Sequence, residues 1–340
     1  MKTYTTTLKL DIKRQGPLYE STQFVDVKDP CPVFDGKEWH IFGSGGDVTM
    51  EKWSVLHSTA PMLEGPWTEH PPLILHNVQG EAVAAPGVIF DAGKFHMFIQ
   101  TDCFRLSGKI EYLVSDDGYN FIFVNTALYS LQVTLQERQD IPSSEQLVRL
   151  ETAPLTGVYD SHPAIIHGNK YLVYSGMAEV GRPDIYLAIS KSNSWSGPWE
   201  RVRSNDRKEA ILSHEEVVHH NQKFQHNYEW GLEGAQLIEL PNRLVLLNAV
   251  CFLPDGAFKT RQRVFFAIAR HVYGPYLALG PMLRPPLEGW ESGENGHASG
   301  FLDGQSLKLM YQARSRDTPW KYAIATFDLD ELQKYVEYFI

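Results

Sequence analysis

Apolar runs of about five to eight residues, rich in Val, Ile, Phe, Tyr and Trp, recur along the chain from residue 24 to residue 327. Gly, Asp and Asn pairs separate them. Runs this short with turn residues between them predict β-strands, because a globular helix needs a longer stretch at 3.6-residue spacing. Helical spacing stands out only at the C-terminus. There Leu329, Leu332, Val336 and Phe339 follow Asp328, a capping side chain, with Asp330 and Glu331 in the first turn. The pattern predicts an all-β chain closed by a short C-terminal helix.

The strands come in repeated units, and a repeat of this size governs the choice of fold. Asp29-Pro-Cys-Pro-Val-Phe-Asp-Gly leads into Trp39-His-Ile-Phe, and Val83-Ala-Ala-Pro-Gly-Val-Ile-Phe-Asp into Phe95-His-Met-Phe. Asp160-Ser-His-Pro-Ala-Ile-Ile-His-Gly leads into Tyr171-Leu-Val-Tyr, Glu233-Gly-Ala-Gln-Leu-Ile-Glu-Leu into Leu244-Val-Leu-Leu, and His297-Ala-Ser-Gly-Phe-Leu-Asp-Gly into Leu307-Lys-Leu-Met. Each is a strand, a tight turn and a second strand. Farther along the units, Ser58 to Trp67, Ser115 to Phe121, Ser190 to Trp199 and Gly274-Pro-Tyr276 supply turns toward a fourth strand. Four strands per unit and five units, starting near residues 29, 83, 160, 233 and 297, predict a five-bladed β-propeller formed as one domain over residues 1–340. Residues 128–150 and 204–228 lengthen the second and third units and are expected as loops or extra strands. The last unit has three strands of its own, and the alternation of Leu8, Leu10 and Ile12 predicts that an N-terminal strand completes it.

Composition narrows the partners. The 340 residues are 43% hydrophobic and carry a formal charge of −10, with no run of Lys or Arg. This excludes whole-chain disorder and argues against nucleic acid or an anionic membrane as the partner. Neutral or cationic small ligands fit the sign of the charge. The start, MKTYTTTLKLDIKRQ, lacks the apolar core of a signal peptide, and no stretch reaches the ~18 apolar residues of a spanning helix, so a soluble, cytoplasmic protein is expected. Cys31, Cys103 and Cys251 are distant and embedded in apolar runs, which predicts buried free thiols.

The chemistry follows from the repeat. The first residues of the five inner strands are Asp29, Val83, Asp160, Glu233 and His297, and a propeller brings them to one end of its channel. Isolated charges are costly near a channel of low dielectric, so three carboxylates and an imidazole in register point to function. Carboxylates in different environments are what glycosidic hydrolysis uses, one protonated to donate to the leaving oxygen and one ionised to activate water. A third carboxylate shifts the proton affinity of its neighbours.

These residues, in the set Lys28-Asp29-Pro30, Ala85-Pro86, Tyr159-Asp160, Glu233-Gly234 and Gly296-His297, with Gly-Pro-Trp at 65–67 and 197–199, resemble glycoside hydrolase family 43. The resemblance runs from about residue 24 to residue 327. It implies a five-bladed propeller that inverts configuration at arabinofuranosides or β-xylosides. It also implies Asp29 as general base, Glu233 as general acid, and Asp160 as the group that tunes and orients the acid. His297 matches a family histidine on the axis, which implies a possible calcium ion or water there and no required cofactor. Ser161-His162 after Asp160, Gly-Ala after Glu233 and Ala84 before Ala85-Pro86 depart from the family pattern. Families 32 and 68 are disfavoured, because their Asn-Asp-Pro-Asn and Arg-Asp-Pro motifs are absent.

His162, Tyr159, Trp230 and Arg314 join His297 as candidate substrate contacts, and Trp53 and Phe104 as further stacking candidates. The histidine-rich stretch His214-Glu-Glu-Val-Val-His219 has the wrong spacing for a zinc pair. The expected activity is exo-acting, inverting hydrolysis of short pentose-containing oligosaccharides. Two rivals remain: a propeller that only binds a carbohydrate or protein, and a glycoside phosphorylase using the 214–226 histidines and Arg314 for phosphate.

Overall fold

The computed structural model describes residues 10–46, 53–78, 83–101, 108–129, 158–179, 182–202, 210–221, 231–255, 258–283, 286, 288–316 and 318–338. Five antiparallel sheets radiate from a common axis. The first blade holds β2 (Asp26–Phe34), β3 (Trp39–Gly46), β4 (Ser54–Ala60) and β5 (Thr68–Glu69). The second holds β7 (Ala84–Asp91), β8 (Lys94–Thr101), β9 (Lys109–Ser115) and β10 (Phe121–Tyr129), with β6 (Leu75–His76) added in parallel to β10. The third is β11 (Val158–Ile166), β12 (Asn169–Glu179), β13 (Arg182–Ser190) and β14 (Trp199–Arg201), and the fourth is β15 (Leu232–Glu239), β16 (Val245–Asp255), β17 (Phe258–Ala269) and β18 (Leu277–Pro281).

The fifth blade combines both ends of the chain. Its strands β19 (Glu294–Asp303), β20 (Ser306–Arg314) and β21 (Lys321–Asp328) are completed by β1 (Ile12–Tyr19), which pairs antiparallel with β21 from Ile12 opposite Phe327. The expected N-terminal closure is present, with Ile12 in the paired strand; Leu8 lies outside the described residues. The turns ending in Trp67, Phe121, Trp199 and Tyr276 lead into fourth strands, as expected.

Buried apolar side chains fall into five clusters, each between two neighbouring blades. Alternate residues of one strand face opposite neighbours. On β3, Ile41 packs toward the fifth blade and Phe42 toward the second. On β16, Leu246 packs toward the fifth blade and Leu247 toward the third. Both faces of a blade are therefore dry, which is why these strands read as continuous apolar runs without polar alternation.

Helix α1 (His214–Asn221) occupies part of the 204–228 stretch, where a loop or strand was expected. Leu128 and Tyr129 extend β10, and the rest of the 128–150 stretch lies outside the described residues. Helix α2 (Leu329–Glu337) begins where the sequence places it: Asp328 accepts a hydrogen bond from the Glu331 N–H at 3.0 Å, and Leu332 and Val336 are buried. Cys31 and Cys251 are buried and unbonded to each other, whereas Cys103 lies outside the described residues. Among the described residues no helix is long and apolar enough to cross a membrane.

A histidine stack lies away from the axis. His40 Nδ1 sits 3.0 Å from His57 Nε2, the His57 and His70 rings are 5.0 Å apart, and Phe42 stacks on His57. Burial, reinforced by His40 and His70, pushes His57 down to about 2. The unfolded chain takes up this proton near pH 6.5 and the folded chain does not, so stability falls as pH drops below 6.5. Between pH 7 and pH 5 the wild type should lose about 2 kcal/mol more than His57→Gln in urea unfolding. Identical pH dependence of the two would dismiss this account.

Candidate active site

One local device, repeated five times, builds the site. In each inner strand the pairing slips by one residue, between Lys28 and Cys31, Ala84 and Gly87, Tyr159 and His162, Glu233 and Gln236, and Gly296 and Ser299. These are β-bulges, and each extra residue has a positive φ: Asp29 at 54°, Ala85 at 49°, Asp160 at 48°, Gly234 at 60° and His297 at 42°. Four of the five are not glycine, although such a backbone costs a side-chain-bearing residue about 1–3 kcal/mol. The bulge re-aims the side chain out of the sheet and toward the axis.

The structure thereby corrects the register taken from sequence. The equivalent positions are Asp29, Ala85, Asp160, Gly234 and His297; Val83 precedes the second strand, and Glu233 stands one residue ahead of its bulge. A side chain at 234 would displace the imidazole: a Cβ there would lie 2.6 Å from His297 Nδ1. Blade four therefore supplies its carboxylate from the preceding position, which explains the Glu-Gly pair.

Polar residues on the second strands fix the bulges. The Asp29 N–H donates to Gln312 Oε1 at 2.8 Å, Ala85 to Ser44 Oγ at 2.7 Å, Asp160 to Gln100 Oε1 at 2.7 Å and Gly234 to Ser175 Oγ at 3.0 Å. Each acceptor belongs to the preceding blade, so these bonds stitch the ring around its axis. The corresponding residue on β16 is Val250, which has no acceptor to offer. Ser44 also donates to Asp29 Oδ2 at 2.5 Å, orienting that carboxylate. Sequence reasoning passed over all four residues as contributors to the site, Ser44 lying inside β3. Their signal is a polar residue that follows the apolar run within each second strand.

The axial pocket is lined by the inner strands of all five blades, including Asp29, Asp160, His162, Gly234, His297 and Ser299. His297 lies between two carboxylates, with Nδ1 3.0 Å from Asp29 Oδ1 and Nε2 3.2 Å from Glu233 Oε1. Burial opposes its protonation, but Asp29 and the bond to Glu233 outweigh burial and push it up to about 9. It is an imidazolium at neutral pH. Burial holds the Asp160 carboxyl well above the usual carboxylate range; His297 opposes this, while Glu233 and Asp29 add to it. Asp160 therefore keeps a proton inside the cluster, and ligand atoms of Asp160, Glu233 and His297 lie within 4.8 Å of one another.

Asp160, Glu233 and His297 are also the residues that would hold an ion on the axis; calcium takes six to eight ligands, chiefly oxygens, so the carboxylates would be its protein ligands and water would complete the set.

Of the other candidates, His162 lines the pocket. Its Nε2 is 2.7 Å from Ser299 Oγ and 3.6 Å from Cys31 Sγ, and burial pushes it down to about 4. Cys31 is pushed up to about 11 by burial and remains a neutral thiol. Tyr159 adjoins the cluster with a buried hydroxyl that has no hydrogen-bond partner among the described residues; burial, followed by Glu233, Asp160 and Asp184, holds the phenol well above its ordinary value. Arg314 is not part of the pocket lining; its guanidinium bonds Glu294 at 2.6 and 2.8 Å and lies over Trp320. Trp230, Phe104 and His226 lie outside the described residues, as does the side chain of His219.

No family model and no curated protein matches this sequence. Solved structures match its fold. The catalytic domain of a Coprinopsis cinerea GH62 α-L-arabinofuranosidase superposes with a TM-score of 0.60 at 15% identity, covering 94% of this chain and 98% of that one. A thermostable family-43 glycoside hydrolase gives 0.59 at 18% identity, with 88% of each chain covered. An exo-1,5-α-L-arabinanase from a bovine ruminal metagenomic library gives 0.58 at 14% identity, covering 93% of this chain and 94% of the other. The five-bladed propeller is common to them and this chain.

Proposed function

We propose that the protein is a glycoside hydrolase that removes arabinofuranosyl or xylosyl units from short oligosaccharides with inversion. The observation that carries this reading is the arrangement of Asp29 and Glu233 on opposite nitrogens of His297, with proton-bearing Asp160 beside them. Water held by Asp29 attacks the anomeric carbon and loses its proton to that carboxylate. Glu233 protonates the leaving oxygen and is resupplied from Asp160, whose carboxyl is kept protonated by burial. The imidazolium holds both groups in place.

The test is the release of pentose from nitrophenyl α-L-arabinofuranoside and β-D-xyloside, with the configuration of the first-formed sugar followed by proton NMR. Inverted product is expected. Retained configuration would make Asp29 a nucleophile, and tight sugar binding without turnover would favour a binding propeller. Phosphate-dependent turnover would favour the phosphorylase, although Arg314 is committed to Glu294.

A further inference from the structure

We propose that the carboxylate end of the axial pocket carries a subsite for an anionic group on the sugar, with the Lys28 ammonium as its binding charge; this rests on the glycoside-hydrolase reading of the pocket. Lys28 directly precedes Asp29 and pairs with Ser44, the position that Tyr159 and Glu233 occupy in blades three and four. Its Nζ lies 5.5 Å from the Trp53 ring centroid and 5.7 Å from that of Trp320; none of the three is part of the pocket lining, but the Lys28 charge reaches Asp160 inside it.

A lysine present only to offset nearby acids would be expected to bridge to one of them. Among the described residues Lys28 makes no ion pair. Asp29 is taken up by Ser44 and His297, Glu233 faces His297, and Asp26, two residues back, accepts from the Trp320 N–H at 3.0 Å. Arg314 also lies over Trp320, at 4.4 Å, but it is paired with Glu294. Of these two cations on that indole, Lys28 is the one without an ion pair among the described residues.

Ring faces hold an ammonium without consuming its three N–H donors, which remain available to a carboxylate or phosphate. The residues equivalent to Lys28 in the flanking blades are Ala84 and Gly296, so neither side is crowded by a long side chain. The negative charge of the whole chain does not decide this preference, because exposed charges beyond about 8–10 Å are screened.

Calorimetric titration should use glucose, glucuronate and glucose 6-phosphate against wild type, Lys28→Met and Lys28→Arg. At least one anionic sugar is expected to bind wild type tenfold or more tightly than glucose. That advantage should vanish in Lys28→Met and return in Lys28→Arg, and the better of the two anions identifies carboxylate or phosphate as the group recognised. Equal binding of all three sugars, no measurable binding of either anion, or a preference that survives Lys28→Met overturns the subsite. Turnover of neutral aryl pentosides in the same preparation tests the hydrolase reading separately. Turnover without anion preference would leave hydrolysis standing and remove the subsite, whereas anion preference without turnover would do the reverse.

Discussion

Glu233→Gln is expected to lower kcat by about 10²–10⁴-fold on a pentoside with a poor leaving group, the span ordinarily supplied by one positioned proton donor. The amide keeps the shape and the hydrogen bond to His297 but has no proton to give at neutral pH. The loss should shrink sharply on a dinitrophenyl pentoside, whose phenolate departs without protonation. Asp29→Asn should lose activity comparably on both substrates, because deprotonation of water is required in either case. The pair of variants and the pair of leaving groups therefore distinguish acid from base. Equal losses on both substrates for Glu233→Gln would remove it from the role of acid.

Gly234→Ala is expected to reduce kcat by about 10²-fold, the penalty that misplacement of a reacting group by about an ångström can carry. Backbone strain alone does not exclude alanine, since Ala85 adopts nearly the same φ, +49° against +60°, at the equivalent bulge of blade two. The obstacle is the imidazole, 2.6 Å from the added Cβ at Nδ1 and 3.0 Å at Cε1. His297 must shift and lose its position between Asp29 and Glu233. Melting temperature should change far less than activity. Wild-type kcat in this variant would show that the imidazole contributes little to positioning the carboxylates.

Much of the architecture is legible in the sequence because of its repetition. Each blade needs two buried faces, so apolar runs recur in pairs around Asp/Gly turns, and the Gly-Pro-aromatic turns mark the way to the fourth strands. The capped helix at Asp328 and the closing N-terminal strand follow from equally local patterns: an acidic first turn in one case and alternation beside an incomplete unit in the other. Helix α1 was harder to see, since His214-Glu-Glu-Val-Val-His-His-Asn has only two apolar positions to define a face.

The candidate site was legible in its residue types but not in its register. Asp29, Asp160, Glu233 and His297 stand out as acids and an imidazole at the heads of apolar strands. Counting along the chain cannot show that Glu233 precedes its bulge while the others occupy theirs, because a bulge is a property of two paired strands. The same limit hid Ser44, Gln100, Ser175 and Gln312, whose partners lie in the next blade. It also hid Lys28, whose charge becomes notable only once Trp53 and Trp320 flank it.

By itself the sequence determined the five β units, their closing helix and the acids and imidazole available for chemistry, because strand pattern, caps and repeat period are local properties. Only the tertiary structure decided which side chains meet. Closing the ring sets His297 between Asp29 and Glu233, buries Asp160 with its proton, and leaves Lys28 on two indoles. Those contacts join residues tens to hundreds of positions apart, and proton affinity depends on the burial and neighbouring charge that such closure creates.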